Sequence, residues 1–120
     1  MAAFNLNQED RNGVQVLRAH GRLTLGEGAS TLRETIESVV AGNPTKIVLD
    51  LTDVSYVDSA GLGALVAAYT FVTSRGGRLV LAGLQKRVLD LLQTTKLDKV
   101  FEVFDNAEKA AGAMHGSPAD

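Results

Sequence analysis

The sequence contains no cysteine and no tryptophan, and only two of its 120 residues are proline. Without cysteine there can be no disulfide, no thiolate nucleophile and no cysteine-ligated metal. Aromatic residues make up 5% of the chain, too few for a stacking platform that would hold single-stranded nucleic acid. Charge of neither sign dominates: the net charge is −2, so there is no basic footprint for nucleic acid or an anionic membrane. A signal-peptide pattern is missing, and no apolar run is long enough to span a bilayer. The expected address is therefore the cytoplasm, with neither a membrane nor nucleic acid as a direct partner. What remains is 45% hydrophobic and 22% charged, the composition of an ordinary globular protein. A chain of 120 residues can bury a core as one domain without a metal or disulfide staple.

Phe4 and Leu6 alternate with Asn5 and Asn7, which suits a half-exposed strand. Asn12-Gly13 follows, a strong hairpin signal, and Val14 to His20 supplies the second strand. Gly21 to Gly28 reads as a loop or a short extended segment. A helix is expected over Ala29 to Val40, with Leu32, Ile36, Val39 and Val40 on one face. It should end at Ala41-Gly42-Asn43-Pro44. Lys46 to Leu51 is a nearly unbroken apolar run, the mark of a strand buried on both faces. A second helix follows from Ala60, with Leu62, Leu65, Val66 and Tyr69 on its stripe, and closes at Ser74-Arg75-Gly76-Gly77. Arg78 to Gly83 predicts another buried strand, Gln85 to Thr94 a third helix, and Lys99 to Phe104 a last strand. Asp105 or Asn106 is placed to cap a final helix through about Met114. Gly116 to Asp120 reads as a flexible tail.

Strands alternating with helices after a hairpin predict an α/β domain with a mixed, mostly parallel sheet of four to five strands and about four helices. Right-handed crossovers bring the carboxyl ends of the parallel strands to one edge, where such domains place their function. Asp58-Ser59-Ala60-Gly61-Leu62-Gly63 falls at that edge, where strand gives way to helix. Asp58 or Ser59 stands at the N-cap, whose side-chain oxygen accepts from amides that the first turn leaves unpaired. Small residues and glycines follow, and little bulk covers the serine hydroxyl. Each of Gly61 and Gly63 costs about 1 kcal/mol against alanine inside a helix, so helix stability does not account for them.

Four kinds of chemistry compete for this stretch. A serine nucleophile needs a base, and the only histidines are His20, at a strand end, and His115, near the tail. Val57 also replaces the first glycine of a nucleophile elbow. Gly61-Leu62-Gly63 lacks the third glycine of a dinucleotide-binding loop, since Val66 stands there, and no Gly-Lys-Ser/Thr is present. Asp50, Asp53 and Asp58 invite comparison with a phosphoryl-accepting carboxylate cluster, with Glu9-Asp10 as the second acidic pair. Those two lie in a hairpin turn, however, and no lysine follows Leu79 to Ala82 closely. Turn and cap roles explain these carboxylates as well. No cofactor or metal is expected. Ser59 is left with two readings, a helix cap or a hydroxyl modified by another protein; Thr24, Thr52 and Ser55 are further hydroxyls nearby.

At these residues the chain resembles the STAS domain family, and within it the bacterial anti-sigma factor antagonists. The resemblance runs from the hairpin to the last helix, as one domain over residues 1–115 with a tail at 116–120. It is most specific in IVLDLTDVSYVDSAGLGAL, SRGGRLVLAGL and LLQTTKLDKVFEVF. It implies a non-enzymatic binding module in which Ser59 is phosphorylated by an anti-sigma factor serine kinase. The unphosphorylated form binds that kinase and frees a sigma factor, and a protein phosphatase resets the cycle. The implied partner surface comprises Asp58, Ser59, Ala60, Gly61, Leu62 and Gly63, joined by Thr24. Many members carry an acidic residue where this chain has Thr24, in Gly21-Arg22-Leu23-Thr24. Such an antagonist is expected as a monomer or at most a weak dimer. Other members of the family are scaffold subunits of stress-sensing complexes, which would assemble with paralogues.

Overall fold

Asn12 and Gly13 both take positive φ, 53° and 91°, the backbone of the two-residue turn that matches strand twist in a hairpin. Around this turn β1 (Asn5–Arg11) and β2 (Val14–Leu23) pair antiparallel. The structure, a computed structural model, describes residues 4–41 and 45–115. The expected stop signal Gly42-Asn43-Pro44 and the tail Gly116 to Asp120 lie outside the described residues.

The remaining elements are α1 (Glu27–Val40), β3 (Lys46–Val57), α2 (Ser59–Ser74), β4 (Arg78–Ala82), α3 (Lys86–Thr94), a 3₁₀ turn at Leu97–Lys99, β5 (Val103–Phe104) and α4 (Ala107–His115). The five strands form one sheet in the order β1-β2-β3-β4-β5, parallel from β2 onward. This is the mixed, mostly parallel sheet with four helices that the sequence predicts.

Two layers of helix cover the sheet unequally. Ile47, Leu49 and Leu51 of β3 join Leu32 and Ile36 of α1, Leu65 and Val72 of α2, and Val88 and Leu92 of α3 in the larger core. Val48 points the other way and packs with Val14, Val16 and Val80 against Ala110, Ala111 and Met114 of α4. Burial on both faces explains why this part of β3 reads as a continuous apolar run. Asp50 shares the α4 side and is only 9% exposed. Its Oδ1 accepts from the Thr52 amide at 3.0 Å and the Thr52 hydroxyl at 2.6 Å, and Arg18 Nε lies 3.6 Å from Oδ2.

Several expectations need correction. Strand β3 does not end near Leu51 but runs on to Val57 beside an equally extended β2. Arg18 pairs with Asp50 but His20 with Asp53, and Gly21 with Val54 but Arg22 with Tyr56. Each step sets one extra residue of β3 against β2, which is a β-bulge. The bulges stretch the inward spacing to Leu51, Val54 and Val57, an interval of three that hides the strand from a search for alternation. The last strand is shorter than Lys99 to Phe104. Lys96 turns in the left-handed region at φ 66°, the 3₁₀ turn follows, and Phe101 N bonds back to the Leu97 carbonyl at 3.1 Å. Phe101 is thereby buried edge-on to Tyr69, with ring centroids 5.4 Å apart. Helix α2 buries Gly61, Leu65, Ala68 and Val72, whereas Leu62, Val66 and Tyr69 pack half-buried at the margin of the core.

Candidate functional site

The bulged extension of β2 and β3 carries both strands past the end of β4, so α2 begins on a ledge beyond the sheet. Asp58 N bonds to the Leu23 carbonyl at 3.3 Å, which fixes the turn from strand to helix. Asp58 is the N-cap of α2, and its Oδ1 accepts from the Gly61 amide at 2.8 Å. Its other oxygen, Oδ2, accepts from the Leu25 amide at 3.1 Å. These two donors, Gly61 first and Leu25 second, hold the Asp58 carboxyl below its ordinary value. The charged form is favoured because each amide hydrogen points at it.

Ser59 is thus the first residue inside the helix and not its cap. It is exposed, and among the described residues no hydrogen bond holds its hydroxyl. Ala60 beside it is half-buried.

The two glycines of the stretch have different duties. Gly61 is buried: a Cβ there would meet the Leu23 carbonyl oxygen at 2.0 Å, so only glycine lets α2 sit this close to the end of β2. The expectation that both glycines keep the surface low therefore fails at Gly61. Gly63 is exposed, and a Cβ there would meet nothing within 4 Å.

A groove of about 620 Å³ opens from the start of α2 toward α3. Tyr56, Asp58, Ser59 and Leu62 line one side, and Arg87, Asp90, Leu91 and Thr94 the other. Thr24 lies close by in the turn between β2 and α1. It is half-buried, and its carbonyl accepts from Ala29 N at 3.1 Å. Its neighbour Leu25 is 79% exposed. Sequence reasoning passed over Leu25 because it falls inside Gly21 to Gly28, which reads as a loop or a short extended segment. It passed over Arg87 because the approach of α3 to α2 is a tertiary fact.

The other candidate chemistries find no support in the arrangement. Asp50 is committed to Thr52 and Arg18, and Asp53 Oδ2 lies 3.2 Å from His20 Nδ1. His20 Nε2 in turn meets Asn7 at 3.2 Å, so this imidazole is engaged on the sheet and not with Ser59. Glu9 pairs with Arg11 at 2.7 Å and also with Arg18. Among the described residues no group of three acidic or histidine side chains is placed to hold a metal. The Gly61 amide already serves Asp58 and is not free to cradle a phosphate.

Known proteins resemble the chain in both sequence and fold. The STAS domain family matches residues 5–110. An anti-sigma-F factor antagonist, RsfB of Mycobacterium tuberculosis, is 34% identical over 113 residues, covering 92% of this chain and 89% of that protein. An anti-sigma-B factor antagonist of Listeria monocytogenes is 34% identical over 91 residues, 76% of each chain. A solved anti-sigma factor antagonist from Mycobacterium paratuberculosis superposes with a TM-score of 0.80 at 27% identity, over 94% of this chain and 95% of its own. The family model spans nearly the whole domain and the relatives share about a third of its residues over most of their length, so the chain belongs to the STAS domain family.

Proposed function

We propose that this chain is an anti-sigma factor antagonist whose affinity for its partner is set by phosphorylation of Ser59. In the unphosphorylated form it binds an anti-sigma factor serine kinase in the cytoplasm and thereby frees a sigma factor. The kinase transfers phosphate as Ser59 Oγ loses its proton and bonds the γ-phosphorus of ATP, and ADP leaves. A protein phosphatase hydrolyses the ester and restores the binding form. The domain itself acts by binding and performs no catalysis.

One observation carries this reading: Asp58 caps α2, which leaves Ser59 exposed with an uncommitted hydroxyl. If capping were the purpose of this serine, its oxygen would hold an amide of the first turn. Phosphorylation adds about −1.5 to −2 charges at this point. The positive end of the helix dipole tolerates a phosphate there, so the fold should persist. A partner surface fitted to a small neutral hydroxyl would instead meet bulk and two anions side by side, since the Asp58 carboxyl is held in its charged form.

The test is capture from source-cell lysate with Ser59→Ala and Ser59→Glu baits, read by mass spectrometry. The reading expects Ser59→Ala to retain a kinase-type ATPase that Ser59→Glu does not. Equal recovery of a large set of STAS proteins by both baits would favour a scaffold subunit in its place. If neither bait differs from a blank resin, the switched-binding role is lost.

A further inference from the structure

The groove beside Ser59 holds charges of both signs, but they are unequally engaged. Both oxygens of Asp58 accept amide hydrogens, and Asp90 Oδ2 pairs with Lys86 Nζ at 3.0 Å. The Thr95 hydroxyl is given to the carbonyls of Leu91 and Leu92. Arg87 lines the same groove and, among the described residues, has neither an ion-pair nor a hydrogen-bond partner. The anionic groups of this surface are thus already satisfied, while a cation with five donors is not. A guanidinium presents a planar fork that matches two phosphate oxygens.

We propose that Arg87 receives the phosphate of phosphorylated Ser59 and draws it into the groove along α3. This inference rests on the phosphorylation proposed above and adds its intramolecular consequence. The phosphate held at Arg87 then stands across the mouth of the groove, over the Leu62 and Leu91 side chains that the bare serine leaves accessible. Phosphorylation so conceived removes a docking surface by covering it, besides adding charge at its edge. Arg87 is a regulatory residue of the phosphorylated form and has no part in the transfer of phosphate to Ser59.

The experiment uses the full chain with phosphoserine installed at position 59 during translation, so no kinase is needed. ³¹P NMR then follows the second ionisation of the phosphate at low ionic strength. Arg87→Gln should raise that pKa by roughly 0.3 to 0.7 units, the size expected for loss of an exposed charge pair. Arg87→Lys should restore part of the difference, and added salt should erase it. The control is Arg75→Gln, the same charge change at the other end of α2, roughly 24 Å away along the helix axis. It should leave the pKa unmoved. Equal pKa values with and without Arg87, or an equal rise with Arg75→Gln, overturn the proposal. Because the phosphate is placed synthetically, this result stands apart from the lysate capture: a missing kinase defeats only the functional reading, and an unmoved pKa defeats only Arg87.

Discussion

Asp58 and Leu25 stand 33 residues apart in the chain, yet the carboxylate of one accepts the amide of the other at 3.1 Å. The same carboxylate caps α2 through Gly61. A single side chain therefore joins the turn before α1 to the first turn of α2, and the two segments that flank Ser59 share one anchor. This bond fixes the backbone of the exposed leucine of that turn to the residue that precedes the serine.

Asp58→Asn separates the two duties. Gly61 and Leu25 meet different oxygens of Asp58, and in the amide one of those positions is an NH2 donor that cannot accept. At neutral pH the variant should melt several degrees below wild type, and Asp58→Ala lower still. The pH dependence has a definite sign. The folded carboxyl titrates below its ordinary value of 3.8, so its contribution is present above that value and is lost as pH falls through the folded pKa. The gap between wild type and Asp58→Asn should hold from neutral pH down to about 4 and close below it. Thermal melts across that range check this; a gap constant into strong acid would mean that the carboxylate charge plays no part.

Gly61 and Gly63 predict opposite outcomes for one substitution. Gly61→Ala drives a methyl into the Leu23 carbonyl, where a Cβ would lie at 2.0 Å. Backbone on backbone cannot yield cheaply, and a loss of about 3 kcal/mol is expected. Gly63→Ala meets open space and should gain up to about 1 kcal/mol from helix propensity. Urea denaturation of the two variants decides it, and equal behaviour would refute the close approach of α2 to β2.

The contrast between these glycines marks where the sequence stops being legible. Both break the helix rule in the same way, and only the third dimension shows that one faces Leu23 and the other solvent. The hairpin, the helices and the two-faced part of β3 were readable because turn chemistry and apolar spacing are local. Thr52 to Val57 was not, since two bulges turn an alternation of two into an interval of three. Phe101 was read as strand because its burial depends on Tyr69, contributed by another element. At the site, the cap could be narrowed to Asp58 or Ser59 but not chosen. Either oxygen could satisfy the first turn, and the Leu25 amide that completes the role of Asp58 comes from distant chain.

Asp50 offers a test of the buried polar corner. Asp50→Ala leaves the Thr52 amide and hydroxyl without their acceptor and Arg18 with Glu9 as its remaining carboxylate. The expected cost is about 1 to 2 kcal/mol, since the lost acceptor is buried but its Thr52 donors reach solvent. Asp50→Asn keeps an acceptor for Thr52 and should recover part of it. Denaturant midpoints at neutral pH give the comparison. If Asp50→Ala is neutral, the corner is solvated and the network adds nothing.

Leu25 tests whether the turn before α1 belongs to the binding surface. At 79% exposure its side chain contributes little to the fold, and Leu25→Ser should leave the melting temperature nearly unchanged. An exposed leucine pinned by its own backbone has lost part of its freedom before any partner arrives, and that lowers the entropy cost of burying it in a complex. If the partner of Ser59→Ala covers this turn, Leu25→Ser added to that bait should weaken capture by roughly tenfold, the effect of losing about 1.4 kcal/mol at an interface. Thr24→Asp, in contrast, changes charge at a half-buried position whose backbone already bonds Ala29. It should alter which partner is captured more than how tightly. Titration of the captured kinase against the Leu25 and Thr24 variants separates the two effects. Unchanged affinity for Leu25→Ser would confine the interface to α2 and the groove beside it.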